Sequence, residues 1–276
     1  MMNKELIVEN DPYSPVSESF RALRTNLQFM NASGDEKQVI LITSTSPSEG
    51  KSWIAANVAI TFAQAGKKTC LIDLDLRKSK IFTMFNVPPT PGVSNYLTGV
   101  NVAKDERDIV RFMYGTQVPN LHIIPAGNIP PNPSELLVSE KMKRMLDELK
   151  EIVDIIILDG TPCNLVTDSV IVSRIADQTI LVSEYNSTKT EDLKETKKAI
   201  ENAGGKVTGV ILNKMPVSKK SYYNRYYYGN YGINSENDRK QLRQYKSYQK
   251  ILPRLRKLWG DMKEKIKKSR KDRFND

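Results

Sequence analysis

Residues 39–52 read Val39-Ile40-Leu41-Ile42-Thr43-Ser44-Thr45-Ser46-Pro47-Ser48-Glu49-Gly50-Lys51-Ser52. The four apolar residues at the start are rich in β-branched side chains, the mark of a short strand buried on both faces. A polar stretch with a proline and a glycine follows, and from residue 52 to 64 the apolar pattern is helical. Strand, turn with Gly-Lys-Ser, and helix form the setting of a phosphate-binding loop. Backbone N–H groups and the helix N-terminus cradle phosphates, the lysine reaches the β and γ oxygens, and the serine hydroxyl takes one position on Mg²⁺. On this reading Ser46, Pro47, Ser48, Glu49, Gly50, Lys51, Ser52 and Trp53 line a nucleotide. Thr45 stands where the general pattern has its first glycine, and the bland alternative is a capped strand-to-helix turn with an incidental Gly-Lys-Ser.

Two acidic motifs argue against that alternative. Leu71-Ile72-Asp73-Leu74-Asp75-Leu76-Arg77 ends the next apolar run, and Ile155-Ile156-Ile157-Leu158-Asp159 ends a later one. One aspartate after a buried strand is usually a cap or turn former. Three of them beside Gly-Lys-Ser converge on one edge of a sheet. Mg²⁺ takes one or two carboxylates plus phosphate oxygens and water, which leaves a carboxylate for proton chemistry. Asp73, Asp75 and Asp159 are the candidates, and sequence does not separate Asp73 from Asp75 as the base. Strand-like runs recur at 38–43, 68–73, 121–125, 154–158, 178–183 and 206–212, with helical patterns at 52–64, 134–150, 168–175 and 190–202. The alternation predicts an α/β P-loop fold, a mostly parallel sheet with helices on both faces, binding its ligand at the carboxyl ends of the strands and followed by a flexible C-terminal tail.

Composition narrows the chemistry further. The 276 residues, 39% hydrophobic and 27% charged, suit one α/β domain with appendages. No stretch reaches the roughly 18 consecutive apolar residues of a membrane span, and Met1-Met2-Asn3-Lys4-Glu5 opens no secretory signal, so a cytoplasmic chain is expected. Cys70 and Cys163 flank apolar runs without the pairing of a disulfide framework or zinc site and read as core thiols. His122, the only histidine, sits in Leu121-His122-Ile123-Ile124 and reads as a strand residue. Net charge is +10, yet from Ser235 onward there are 15 Lys and Arg against 6 Asp and Glu, leaving 27 against 26 before it. Basic character therefore argues for the tail alone.

Ahead of the first strand, residues 14–30 pattern as an amphipathic helix with Phe20, Leu23, Leu27 and Met30 on one face and Glu18, Arg21 and Arg24 beside it. At the far end, after Pro253, Leu255, Leu258, Trp259, Met262 and Ile266 fall at helical spacing among Lys and Arg. That pattern fits a basic helix for an anionic membrane surface, or a disordered or partner-bound tail.

From about Tyr13 to Gly232 the chain resembles the bacterial tyrosine kinases of capsule and exopolysaccharide synthesis, in the form of a stand-alone catalytic chain. Thr43-Ser44 through Pro47 to Gly50-Lys51-Ser52 is similar to the family's Walker A loop, Asp73-x-Asp75-x-Arg77 to its second acidic motif, and Asp159 to its Walker B aspartate. Glu18-x-x-Arg21-x-x-Arg24 resembles the subunit-contact helix that closes ring oligomers. The segments Gly92-Val93-Ser94-Asn95-Tyr96-Leu97, Pro131-Asn132-Pro133-Ser134-Glu135-Leu136-Leu137 and Leu212-Asn213-Lys214 also match. The resemblance implies ATP and Mg²⁺ as cofactors, Lys51 on the γ-phosphate, Ser52, Asp75 and Asp159 on Mg²⁺ directly or through water, Asp73 as base, and Asn213 on the adenine. It also implies a separate transmembrane activator of the polysaccharide co-polymerase type, and so a place at the inner face of the cell membrane. Departures are Ser48 where glycine is common, Trp53 where a small residue is usual, Ser79 in place of proline, and Gly160-Thr161 after Asp159.

The resemblance also gives Tyr222, Tyr223, Tyr226, Tyr227, Tyr228 and Tyr231 a role. Six of the chain's 12 tyrosines fall within ten residues, interleaved with Asn224, Arg225, Gly229 and Asn230, directly after the nucleotide domain. They are the expected phosphoacceptors, rather than a stacking patch for nucleic acid. The expected layout is 1–37 with the contact helix, 38–216 as kinase domain, 217–232 as tyrosine cluster and 233–276 as basic extension. A rival is the septum-positioning and partitioning group of P-loop ATPases, which carry a lysine five positions before the loop lysine, where this chain has Ser46. A non-catalytic ATP-binding scaffold is the third reading.

Overall fold

The computed structural model describes residues 6–30, 37–99 and 109–216, and there the apolar runs are strands. In chain order the elements are α1 (Ile7–Asn10), α2 (Pro15–Phe29), β1 (Gln38–Ser44), α3 (Lys51–Gln64), β2 (Thr69–Asp73), α4 (Ile81–Phe85), α5 (Val93–Thr98), a 3₁₀ turn (Ile109–Phe112), β3 (Tyr114–Gly115), β4 (Leu121–Ile124), α6 (Pro133–Val138), α7 (Glu140–Ile152), β5 (Ile155–Pro162), α8 (Asp168–Val172), β6 (Gln178–Glu184), α9 (Thr190–Asn202) and β7 (Val207–Asn213). The sheet order is β3-β4-β2-β5-β1-β6-β7, and each neighbouring pair is parallel except β3 with β4. From β1 the chain winds to one side through β2 and β4, returns to β5 beside β1, then moves to β6 on the other side. The carboxyl end of β1 thus lies where the winding reverses, the place at which open α/β sheets hold ligands.

Alternation along the strands splits the core. Ile40 and Ile42 of β1, with Leu71, Ile155, Ile157, Ile180 and Val182, pack against α1, α2 and α3. Val39 and Leu41, with Cys70, Ile72, Ile156 and Leu158, face α5, α7 and α8 on the opposite side. The α3 helix is buried from Ile54 through Ala63 because α2 closes its outer surface, which explains its nearly all-apolar sequence.

The α2 helix begins as its sequence dictates. Ser14 accepts a hydrogen bond from the Ser17 N–H at 3.1 Å and Pro15 opens the first turn. Phe20 and Leu27 are buried and Leu23 packs beside them, but Met30 is 43% exposed. It follows the last helical residue and so leaves the predicted apolar face. The helix expected over 134–150 is two helices. Ser139 is extended, its hydroxyl bonds the Leu136 carbonyl at 2.6 Å, and it serves as the end of α6 and the start of α7. His122 lies in β4 and Cys70 in β2, as read. The tyrosine cluster and the basic extension lie outside the described residues.

Candidate active site

The loop between β1 and α3 closes at Gly50, whose φ of +99° is left-handed and whose Cβ, if present, would lie 2.2 Å from Asn213 Nδ2. The φ requires glycine there, and any side chain would also displace the Asn213 amide. The α3 N-terminus has no side-chain cap, so the N–H groups of its first turn remain free for an anion. Trp53 offers only its backbone to this turn, because its ring meets Phe20 of α2 edge-on with centroids 5.1 Å apart.

Lys51 turns back over this end of the sheet. Its Nζ lies 3.2 Å from Ser52 Oγ and 3.4 Å from both Asp75 Oδ2 and Asp159 Oδ1. Burial works against the ammonium, but the attraction of Asp159, Asp75 and Asp73 outweighs it and raises the Lys51 pKa above its ordinary value. Burial likewise raises the Asp159 carboxyl, against the pull of Lys51. Asp159 enters by register: it pairs with Asp73 across β2 and β5 and with Ile42 across β1.

The first two acidic residues differ in surroundings. Asp73 is fully buried, and its oxygens accept the Asp75 N–H at 3.1 Å, the Ser79 hydroxyl at 2.6 Å and the N–H groups of Lys80 and Ile81 at 3.1 Å each. Burial raises its pKa, and the Ser79 bond, Lys51 and the two N–H groups only partly offset that. Asp75 keeps one oxygen on the Lys78 N–H and points the other at Lys51, with its side chain 13% exposed.

Two buried atoms bear on what the site can hold. Among the described residues, Asp159 Oδ2 and Thr45 Oγ1 are buried without a hydrogen-bond partner. A bare buried carboxylate oxygen is costly, and it suits a divalent cation that travels with a phosphate. No cluster of three or more His, Cys, Asp or Glu among the described residues forms an all-protein metal site. The donor set of one hydroxyl and one or two carboxylates therefore fits Mg²⁺ completed by phosphate and water.

Comparison with known proteins now decides between the readings. The model of the CobQ/CobB/MinD/ParA nucleotide binding domain matches residues 40–234. The chain is 41% identical over 224 residues to the putative tyrosine-protein kinase CapB of Staphylococcus aureus, covering 81% of this chain and 95% of that one. The chain belongs to the bacterial tyrosine kinases of capsule and exopolysaccharide synthesis. The kinase domain of Escherichia coli tyrosine kinase ETK superposes with a TM-score of 0.72 at 28% identity, over 78% of this chain and 81% of that domain. The cell division ATPase MinD of Pyrococcus furiosus shares the fold alone, at 20% identity, a TM-score of 0.53, and coverage of 68% of this chain and 78% of that one. The rival reading is thus a distant relation, and this protein is a protein tyrosine kinase with a nucleotide-binding P-loop domain.

Several motif residues of this kinase have duties in the fold. Asn95 Oδ1 accepts the Gly92 N–H at 3.0 Å, and a side chain at Gly92 would strike the Pro125 carbonyl. Glu18 pairs with Arg21 at 2.7 Å, whereas Arg24 turns inward and donates to the Thr61 carbonyl of α3 at 2.8 Å. Two groupings join residues that no local pattern brings together. Asp168, 1% exposed, receives Ser134 Oγ at 2.5 Å and Arg77 Nε at 3.1 Å. Glu49 accepts the Ser46 N–H at 2.8 Å and the Thr188 hydroxyl, bracing the loop from within. Arg77, Ser134, Ser46 and Glu49 each lay in a motif of the sequence, whereas Asp168 and Thr188 lay in none. Among the described residues, no helix is long and apolar enough to cross a membrane.

Proposed function

We propose that this kinase moves the γ-phosphoryl group of ATP to tyrosines of the cluster Tyr222, Tyr223, Tyr226, Tyr227, Tyr228 and Tyr231 on a neighbouring copy, and thereby regulates capsular or exopolysaccharide synthesis and export. The observation that carries the reading is the convergence of Lys51, Ser52, Asp75 and Asp159 at the mouth of the Gly50 loop. Mg²⁺ would supply positive charge to neutralise the phosphates. Ser52, Asp75 and Asp159 are the residues that would hold it. Lys51, already charged and held between carboxylates, stabilises the γ-phosphate as negative charge builds. Residues 48–53 supply backbone donors, since Pro47 has no N–H and that of Ser46 is held by Glu49, and Asn213 is the proposed neighbour of the adenine.

A phenol has a pKa of about 10, so its attack on phosphorus needs a base. The phenolic oxygen bonds to the γ-phosphorus, the bond to the bridging oxygen breaks, ADP leaves and the proton passes to a carboxylate. Burial raises the proton affinity of Asp73, and three donors including the Ser79 hydroxyl crowd its Oδ2, whereas its Oδ1 accepts the Asp75 N–H alone. Asp75 is reachable without breaking the turn.

Glu18 and Arg21, with Arg24, are proposed to form the contact between subunits of a ring. A separate transmembrane activator and, through the basic extension, the anionic inner face of the membrane complete the assembly. The deciding experiment incubates purified protein with Mg-ATP and detects phosphotyrosine, with Lys51→Met alongside. Phosphotyrosine in the wild type and its absence in a folded Lys51→Met support the assignment. An equal signal in both removes it.

A further inference from the structure

Ser48 occupies a left-handed backbone conformation, φ +66°, that a residue with a Cβ adopts only at a cost. Its neighbour Pro47 cannot donate a backbone hydrogen bond to hold it there. The support comes from residues far along the chain, at the same carboxyl edge of the sheet. Lys214 Nζ donates to the Ser48 carbonyl at 2.8 Å, and Asn213 Nδ2 donates to the Glu49 carbonyl at 2.8 Å. Two consecutive residues at the end of β7 therefore hold two consecutive carbonyls of the loop. Lys214 also pairs with Glu184 Oε2 at 2.8 Å, and its own φ is +58°.

A trans peptide points its N–H opposite to its C=O. Drawing the Ser48 and Glu49 carbonyls toward β7 turns the N–H groups of Glu49 and Gly50 away from β7, and these belong to the set proposed to meet phosphate. We infer that Lys214, with Asn213 beside it, is a positioning residue that keeps the phosphate loop of this chain in its binding shape, replacing the conformational freedom that a glycine at position 48 would supply. The inference rests on the nucleotide reading of the site and deepens it. It assigns Lys214 no contact with nucleotide; its effect passes through the loop backbone.

The test is a double-mutant cycle on the full chain: wild type, Lys214→Met, Ser48→Gly and the two together, with Glu184→Gln as a control. Mg-ADP affinity is measured by calorimetry, and KM for ATP and kcat from phosphotyrosine formation. A charge-assisted hydrogen bond to a carbonyl at a half-exposed site predicts about a 5- to 10-fold weaker Mg-ADP affinity for Lys214→Met. KM should rise in step while kcat at saturating ATP changes less than about twofold, since binding and not the transition state is affected. In the Ser48→Gly background the same lysine change should cost less than about twofold, because glycine holds the turn unaided. Glu184→Gln removes the ion pair but leaves the loop bond, and should resemble wild type. An equal loss of affinity in both backgrounds, or no loss in either, overturns the brace while leaving the nucleotide site standing. Failure of wild type to bind Mg-ADP overturns the nucleotide reading and the brace with it.

Discussion

Asp73 and Asp75 are two residues apart in sequence yet stand in different physical situations. Four donors converge on Asp73, three of them on one oxygen. An asparagine there has a single acceptor oxygen and turns its NH₂ toward donors in either orientation. Leaving such buried groups unsatisfied costs about 1–3 kcal/mol, so Asp73→Asn should lower thermal stability as well as transfer. Asp75→Asn leaves the 73–81 turn intact and should retain the wild-type melting temperature. If Asp75 is the base, transfer by Asp75→Asn falls by orders of magnitude with Mg-ADP binding preserved. If Asp75 holds the cation instead, Mg-ADP affinity falls together with transfer, and calorimetry and melting curves on the two variants separate these outcomes.

At the scale of elements, α2 has two separable jobs. Its inner side fastens it to α3 through the Phe20–Trp53 pair and the Arg24 bond to the Thr61 carbonyl. Its outer side carries the Glu18–Arg21 pair, with side chains 40% and 32% exposed. Exposed i,i+3 pairs contribute roughly 0–1 kcal/mol, so Glu18→Ala with Arg21→Ala should lower the unfolding midpoint chiefly through the lost bond from Arg21 to the Pro12 carbonyl, yet should also reduce the particle mass seen by light scattering if this face joins subunits. Arg24→Ala removes a charge-assisted bond to a buried carbonyl and should destabilise the chain by about 1.5–3 kcal/mol. An unchanged mass for the Glu18, Arg21 variant would leave this helix a purely internal role. The same division explains what the sequence disclosed. The inner strands of the sheet were legible because burial on both faces demands unbroken apolar runs such as Ile155-Ile156-Ile157-Leu158, whereas the two-residue β3 was not. Asp73, Asp75 and Asp159 were legible because each closes such a run or follows just after it. Short α5 was not, since it depends on Gly92 meeting the distant Pro125 carbonyl. The Ser139 break was hidden because apolar spacing continues through it. The inward turn of Arg24, and the bonds from Asn213 and Lys214 to the loop, join residues far apart in the chain, which no local pattern reveals.

For the molecule as a whole, charge is divided lengthwise: a nearly neutral body precedes an extension with 15 Lys and Arg against 6 Asp and Glu from Ser235 onward. Each Lys or Arg near an anionic bilayer contributes about 1 kcal/mol, so a handful suffices to hold the full chain on vesicles containing phosphatidylserine at low salt. That attraction weakens as the Debye length contracts from about 10 Å at 0.1 M to about 3 Å at 1 M. If Trp259, Leu255, Leu258, Met262 and Ile266 also enter the bilayer, some binding should survive high salt and the tryptophan emission should move to shorter wavelength. Each phosphotyrosine adds about −1.5 to −2 charges at pH 7, so six together add roughly −9 to −12, against a net charge of +10. Chain that has reacted with Mg-ATP should therefore bind these vesicles more weakly than unreacted chain, with the greatest difference at low salt, and phosphatase treatment should restore binding. Sedimentation with vesicles of anionic and of neutral composition, before and after reaction, measures this directly. Equal binding to both compositions, or none to either, would dissociate the basic extension from the membrane and leave a protein partner as its target. Binding to anionic vesicles that phosphorylation does not alter would keep the membrane contact but place the tyrosine cluster too far from the surface to control it.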